Sequence, residues 1–218
     1  MLETLQNLDL TPFILSFKLA GLTTLILFFL SLPLAWYLSQ TTSKVKPLLE
    51  AITALPIVLP PSVLGFYILI VFAQIDLAFS FTGLVIASCF YSLPFMVQPL
   101  QSGFESLNKN MLEASYISGK SKIETVFYVA LPNIKPALIT ALIITFAHTV
   151  GEFGVVLMVG GSIPGETKVA SVAIYEMVET MEYGQAHIYA GIMVAMSFFV
   201  LLAVYLFNHK QKTKIGLV

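Results

Sequence analysis

Two ionisable side chains stand deep inside an apolar stretch: His148 and Glu152, in His148-Thr149-Val150-Gly151-Glu152-Phe153-Gly154. A carboxylate at membrane depth is costly and marks a functional site. The four-residue spacing puts both on one face of a helix, so an imidazole–carboxylate pair is available, with the base in the poorer order against the helix dipole. Two other arrangements stay open. Glu152 is protonated, or it accepts backbone donors freed by Gly151 and Gly154. Two ligands from one helix do not make a metal site. An enzyme would need several His, Asp or Glu converging at one depth. Here His187 and His209 fall near opposite surfaces, so no catalytic residue, metal or cofactor is expected.

The elements that must hold this pair are membrane spans. The 218 residues are 57% hydrophobic and 11% charged, and the net charge of −1 offers no basic field for nucleic acid. All 11 basic residues are Lys. One cysteine, Cys89, excludes an internal disulfide. Charge-free runs lie between Lys18 and Lys44, Glu50 and Asp76, and Asp76 and Glu105; another lies between Lys135 and Glu166, broken only by Glu152, and a last between Glu182 and Lys210. A helix needs about 20 apolar residues to cross the hydrocarbon. Five transmembrane helices are therefore expected, near 13–38, 48–73, 83–103, 134–158 and 186–207. Glu3 and Asp9 precede the first run where a signal peptide would carry basic residues, so that run is expected to remain as a span. With the N-terminus outside, nine lysines fall on the cytoplasmic side and the C-terminus is cytoplasmic. No internal repeat halves the chain, which argues against an inverted-repeat carrier. Five spans enclose little alone, so a homodimer with the pathway on its axis is expected.

Between the third and fourth spans lies a polar island, residues 105–135, with seven charges. Asn110 is expected to cap a first short helix, with Glu113 reaching back, and Ser121-x-x-Glu124 to form a capping box on a second. Gly119 sits where the first should end in the left-handed conformation. Pro132 should end the second. Met111, Leu112 and Tyr116 share one face, and Ile123, Val126 and Phe127 another. Such a pair of helices is shaped to dock on a partner.

Two further stretches break the apolar pattern. Pro56, Pro60 and Pro61 free backbone carbonyls in span two, tolerable only against protein or a wet cavity, so Pro60 and Pro61 are candidate pathway residues. After span four, Pro164-Gly165 signals a type II turn. Residues 169–183 read as a surface helix with Val172, Tyr175 and Val178 inward and Glu176, Glu179 and Glu182 outward.

Glu113-Ala114-Ser115, three residues, Gly119, nine residues, Val129-Ala130-Leu131-Pro132 resembles the EAA loop of bacterial ABC importer permeases, whose usual form has Ala at the position of Ser115 and Ile at that of Val129. Gly151-Glu152-Phe153-Gly154 followed by Ile163-Pro164-Gly165-Glu166-Thr167 resembles the oxyanion branch of that family, most closely its molybdate permeases. His148 departs from the branch, which commonly has Arg there. The resemblance implies an all-α integral membrane fold of type I importer design, one permease domain over residues 1–218, in a bacterial inner membrane. It implies that Glu113, Ala114, Ser115, Gly119, Leu131 and Pro132 shape the surface docked by cytoplasmic ABC ATPase subunits. It also implies an external, periplasmic oxyanion-binding protein and cargo such as molybdate, tungstate, sulfate or thiosulfate. A fixed negative charge would repel such cargo, so Glu152 is read as an anchor of the pathway along with His148, Gly151, Phe153 and Gly154. No Lys lies in the middle of a span; Ser, Thr, Gln and freed amides would pass the anion. A proton-coupled carrier is the remoter alternative and has no use for a docking loop.

Overall fold

Proline, more than the charged residues, marks where this chain is cut into helices, standing in the first turn of five of them. The computed structural model describes residues 9–214; Glu3 and residues 215–218 lie outside them. Helix α1, Thr11–Gln40, tolerates Pro33 within it. A bent pair follows, α2 (Lys46–Val58) and α3 (Pro61–Ala73). Next comes α4, Phe81–Glu105, capped where the Ser80 hydroxyl accepts the Gly83 N–H at 3.0 Å. The polar island folds as α5 (Lys109–Ile117), α6 (Lys122–Thr125), a π-helical segment Val126–Ala130 and α7 (Leu131–Asn133). Then come α8 (Lys135–Val150), α9 (Gly154–Gly160), α10 (Ala170–Glu179) and α11 (Tyr183–Lys214). The described residues contain no strand.

By length and composition α1, α4 and Tyr183–Leu202 of α11 can each cross a membrane, and two bent pairs, α2 with α3 and Lys122–Asn133 with α8, would raise the number to five. The second pair bends by 80° between Asn133 and Lys135. Between α2 and α3 the chain turns by 108° at Leu59-Pro60. Pro61 has no N–H to give the helix, and Pro60 pushes the residue before it out of the α region. Leu59 is indeed extended, at φ −69° and ψ 134°. The region 134–158 is likewise split, because the helix stops at Val150 and resumes at Gly154.

The interior is a seam between α1, α4 and α8. Small residues let these helices approach, as Ser16, Ala20, Thr23, Ser31 and Ala35 do along the buried face of α1. In lipid there is little hydrophobic drive between helices, so close packing and hydrogen bonds supply the association. The seam forms two cores. One joins Leu15 and Leu19 to Leu84, Val155, Val159, Val169 and Val172. The other joins Leu38, Met96, Leu100, Phe104 and Ala141 to Leu112 and Ala130 of the polar island. The island is thus rooted in the packed interior rather than hung from it.

Helix α10 differs from expectation. Val172 is buried, but Tyr175 and Val178 are exposed, and the inward face is built from Ala170, Val172 and Ala173. The small alanines win that face because α10 lies close against α1 and α11: Ser16 Oγ accepts the Ala170 N–H at 2.9 Å, and Ala170 and Ala173 cluster with Tyr189. Pro164-Gly165 does form the expected turn, with Gly165 at φ +78° and the Glu166 N–H returning to Ile163 O at 3.1 Å.

Candidate functional site

The break between α2 and α3 meets the break between α8 and α9. Pro61 at the start of α3 touches the backbone of Gly154 at the start of α9; a Cβ added at 154 would stand 2.6 Å from the Pro61 Cβ. One turn along α3, a Cβ on Gly65 would stand 2.8 Å from that of Met158. The glycines are required because α3 lies directly on α9. Beside this contact is a cavity of about 540 Å³ lined by Pro61, Ser62, Tyr91, Ala147, His148, Gly151, Glu152, Phe153 and Gly154. Sequence-predicted residues of spans two and four are thereby brought to one place. Pro60 stands at the break itself, as the residue preceding α3.

The His148–Glu152 pair that the spacing made available does not form. Its geometry required an unbroken helix, and the helix ends at Val150. The His148 ring instead stacks on Phe95, with centroids 3.8 Å apart, and its Nδ1 lies 3.1 Å from Ser92 Oγ. Ser92 Oγ also meets Thr149 Oγ1 at 2.9 Å, and Thr149 donates to Thr145 O at 2.9 Å. Glu152 is only 4% exposed, and no donor among the described residues reaches either carboxyl oxygen. The amides of Gly151 and Gly154 do not supply it. The Ser88 hydroxyl of α4 faces the carboxyl, short of good hydrogen-bond geometry, and has no other partner. The Glu152 backbone is held better than its side chain: its N–H reaches Thr149 O at 3.3 Å, and its carbonyl accepts from Ser171 Oγ of α10 at 2.5 Å. Phe153 packs on Tyr175 of α10, with centroids 5.0 Å apart. The break is therefore tethered to α10. Ser62, Tyr91, Ser92 and Ser171 were not singled out by sequence; only the spacing of Ser88 and Ser92, four apart in an apolar run, hinted at a polar stripe on α4.

The polar island is a second candidate surface. Its first helix is capped by Asn108, whose side chain accepts the Asn110 N–H at 2.9 Å, so Asn110 is not the cap and Glu113 does not reach back. Asn108 takes the role because it follows Ser106-Leu107 just where α4 ends, in extended conformation. The Ser121–Glu124 capping box is present as expected, with the Ser121 N–H donating to Glu124 at 2.8 Å. That bond holds the Glu124 carboxyl below its ordinary range. Gly119 has φ +82°. Glu113 and Ala114 face solvent, while Ser115 is buried and its hydroxyl lies 2.9 Å from Thr125 Oγ1, joining the two short helices. Leu112 is buried, but Tyr116 is exposed, as are Ile117, Ile123, Phe127 and Tyr128. Pro132 does not end the second helix cleanly. The Leu131 N–H reaches back to Val126 O, which opens the π-helical turn, and Pro132 sits inside α7. Among the described residues no group of His, Cys, Asp or Glu could hold a metal ion.

Residues 20–213 match the model of the binding-protein-dependent transport system inner membrane component family. The chain belongs to that family. As an inner-membrane transport component it is a permease, not an enzyme. It is 48% identical over 214 residues to the molybdenum transport system permease protein ModB of Azotobacter vinelandii, covering 92% of this chain and 95% of that one. It is 32% identical over 216 residues to a probable sulfate transport system permease protein of Zygnema circumcarinatum, covering 94% of this chain and 75% of the relative. Among solved structures, the inward-facing MetNI methionine ABC transporter has a chain of similar fold, with a TM-score of 0.75 at 16% identity, covering 91% of this component and 94% of that chain. The all-helical type I importer permease fold expected from sequence is thereby established.

Proposed function

We propose that this chain is the permease subunit of an ATP-driven importer whose cargo is molybdate. The 48% identity to a molybdenum permease, sustained over nearly the full length of both chains, carries the reading. On it, residues 1–218 act as one permease domain with five spans, formed by α1, α2 with α3, α4, α8 with α9, and α11. The lysine distribution supports an outer N-terminus, a cytoplasmic C-terminus and a cytoplasmic loop 105–135.

That loop is the docking element for the ATPase. Glu113 and Ala114 would meet the ATPase directly, with Ile117, Ile123 and Tyr128 supplying apolar contact. Ser115, Gly119, Leu131 and Pro132 would shape the surface from behind. A rooted loop suits this work, since movement of the ATPase must reach the spans, and Leu112 and Ala130 share a core with α1, α4 and α8. Two copies of the chain would enclose the pathway, and an external binding protein would deliver the anion. The pathway segment is the junction of Pro60, Pro61, His148 and Gly151–Gly154.

The test is reconstitution with the cognate ATPase and binding protein in liposomes. Molybdate-loaded binding protein should stimulate ATP hydrolysis and drive molybdate inward. Stimulation by loaded binding protein without any molybdate entering would refute the reading. Sulfate is the second reading, carried by the sulfate permeases at about a third identity; it would be favoured if sulfate, and not molybdate, stabilised the binding protein and entered the vesicles.

A further inference from the structure

Helix α2 leads into the break at Leu59-Pro60, and only Thr53 and Pro56 of its 13 residues are buried. Lys46, Leu49, Glu50, Thr53 and Pro56 fall at helical spacing on one face, which turns toward α4. Leu48, Ile52 and Leu55 on the other side are exposed. Among the described residues, every side-chain hydrogen bond and ion pair from α2 to another helix goes to Gln101 or Glu105, at the end of α4.

Those contacts close a ring of four side chains. Lys46 Nζ stands 3.1 Å from Glu105 Oε1 and 3.6 Å from Glu50 Oε1. The Gln101 amide donates to both carboxylates, to Glu50 at 2.6 Å and to Glu105 at 3.0 Å. One ammonium and one amide thus hold two carboxylates together across the joint. Without the ammonium, like charges would face each other there.

Half-exposed pairs of this kind add little to the stability of a fold. Their position is more telling. Glu105 is the last residue of α4, and Asn108 caps the docking helix α5. The link between them is short and fixed. The Ser106 N–H donates to Ser102 O at 3.1 Å, the Ser106 hydroxyl to Gly103 O at 2.7 Å and the Leu107 N–H to Phe104 O at 3.3 Å. A shift of α5 is therefore passed to Glu105 with little slack. The packed core beneath the docking loop takes from α2 only Leu49, so it grips that helix at one point.

We propose that Lys46, Glu50, Gln101 and Glu105 form a tie that carries movement of the docking loop into α2, and so to the break in span two. They are positioning residues, acting through α2 rather than on the anion. The proposal rests on the permease reading above. It adds a polar route beside the packed one through Leu112 and Ala130.

The experiment uses the full transporter in liposomes and reads the molybdate taken in per ATP hydrolysed. Lys46→Glu places a third carboxylate in the ring and should lower that ratio about fivefold or more. The melting temperature and the co-purification of the ATPase should stay as in the wild type, because an exposed charge contributes little to the fold. Lys44→Glu, at an exposed lysine outside the ring, should keep the wild-type ratio. Lys46→Glu combined with Glu105→Lys restores opposite charges across the joint and should return the ratio to within about twofold of the wild type. An unchanged ratio in Lys46→Glu, an equal loss in Lys44→Glu, or a double variant no better than Lys46→Glu would overturn the proposal. So would a fall in melting temperature that matches the fall in uptake, since the ring would then serve stability alone. A second arm holds if Lys46→Glu fails to fold. Lys46→Cys with Glu105→Cys, in a Cys89→Ala background, should be uncoupled while reduced and recover when a short bifunctional thiol reagent joins the two positions. Complete cross-linking without recovery would overturn the proposal as well. Wild-type vesicles in which loaded binding protein stimulates no ATP hydrolysis would instead count against the permease reading itself.

Discussion

Gly154 and Pro61 meet across the two broken spans with no room for a methyl group, since an added Cβ would stand 2.6 Å from the proline ring. Neither residue can yield easily. Pro61 is a rigid ring that opens α3, and Gly154 opens α9.

Gly154→Ala should therefore overpack the junction and cost about 1–3 kcal/mol. The purified protein should melt at a lower temperature and transport more slowly. Gly21→Ala, at a position with open space around it, serves as the control. Equal melting temperatures for the two variants would show that the α3–α9 contact gives way freely.

Gly119 separates two costs that usually come together. A side chain there meets nothing within 4 Å, so the only penalty is its φ of +82°. Gly119→Val should cost about 1–2 kcal/mol in the loop, because a β-branched residue resists the left-handed region. Gly119→Asn should cost less, since Asn tolerates that conformation. Co-purification of the ATPase should fall in the order Gly, Asn, Val while insertion in the membrane is unchanged. Full co-purification with Val would remove Gly119 from the docking surface.

Ser115 and Thr125 join the two short helices through buried hydroxyls 2.9 Å apart. Ser115→Ala alone leaves the Thr125 hydroxyl without a partner, a loss of about 1–3 kcal/mol. Adding Thr125→Val removes the orphan, so the double variant should recover part of that loss. Uptake per ATP hydrolysed is the readout. It should drop in Ser115→Ala and recover in the double variant. Simple additivity of the two changes would show that the hydroxyls act separately.

Topology can be tested with single cysteines in a Cys89→Ala background. Thr167 is unsuitable, being fully buried with its hydroxyl donating to Gly160 O at 2.7 Å. Glu166 is exposed beside it. Glu166→Cys should react with an impermeant reagent applied outside intact cells, and Asn108→Cys only after the membrane is opened. The reverse pattern would overturn the lysine-based orientation and the docking role of the loop with it.

Much of this protein was legible along the chain because its signals are local. Charge-free runs mark where membrane helices lie, since hydrocarbon excludes charge over a fixed length. The Ser121–Glu124 box and the left-handed Gly119 depend on a few neighbouring residues, and both formed as expected. Some local signals slipped by a residue or two, as when Asn108 took the cap expected of Asn110, and the larger failures depended on partners distant in sequence. The spacing offered His148 a partner in Glu152, four residues away. His148 found Ser92 and Phe95 on another helix, because the span between the two ionisable groups ends at Val150. The place where spans two and four break depends on distant partners too. Composition records that a segment is apolar enough for the membrane, but a bend there depends on whether another backbone can come close enough to support it. Gly65 and Gly154 permit that approach only with α3 and α9 already side by side. Packing also decided which face of α10 turns inward, since the small Ala170 and Ala173 fit against α1 and α11 where Tyr175 and Val178 were expected. The residues of the candidate pathway could thus be named from the sequence. Their convergence on one cavity, and the burial of the Glu152 carboxyl beside it, came from contacts between helices far apart in the chain.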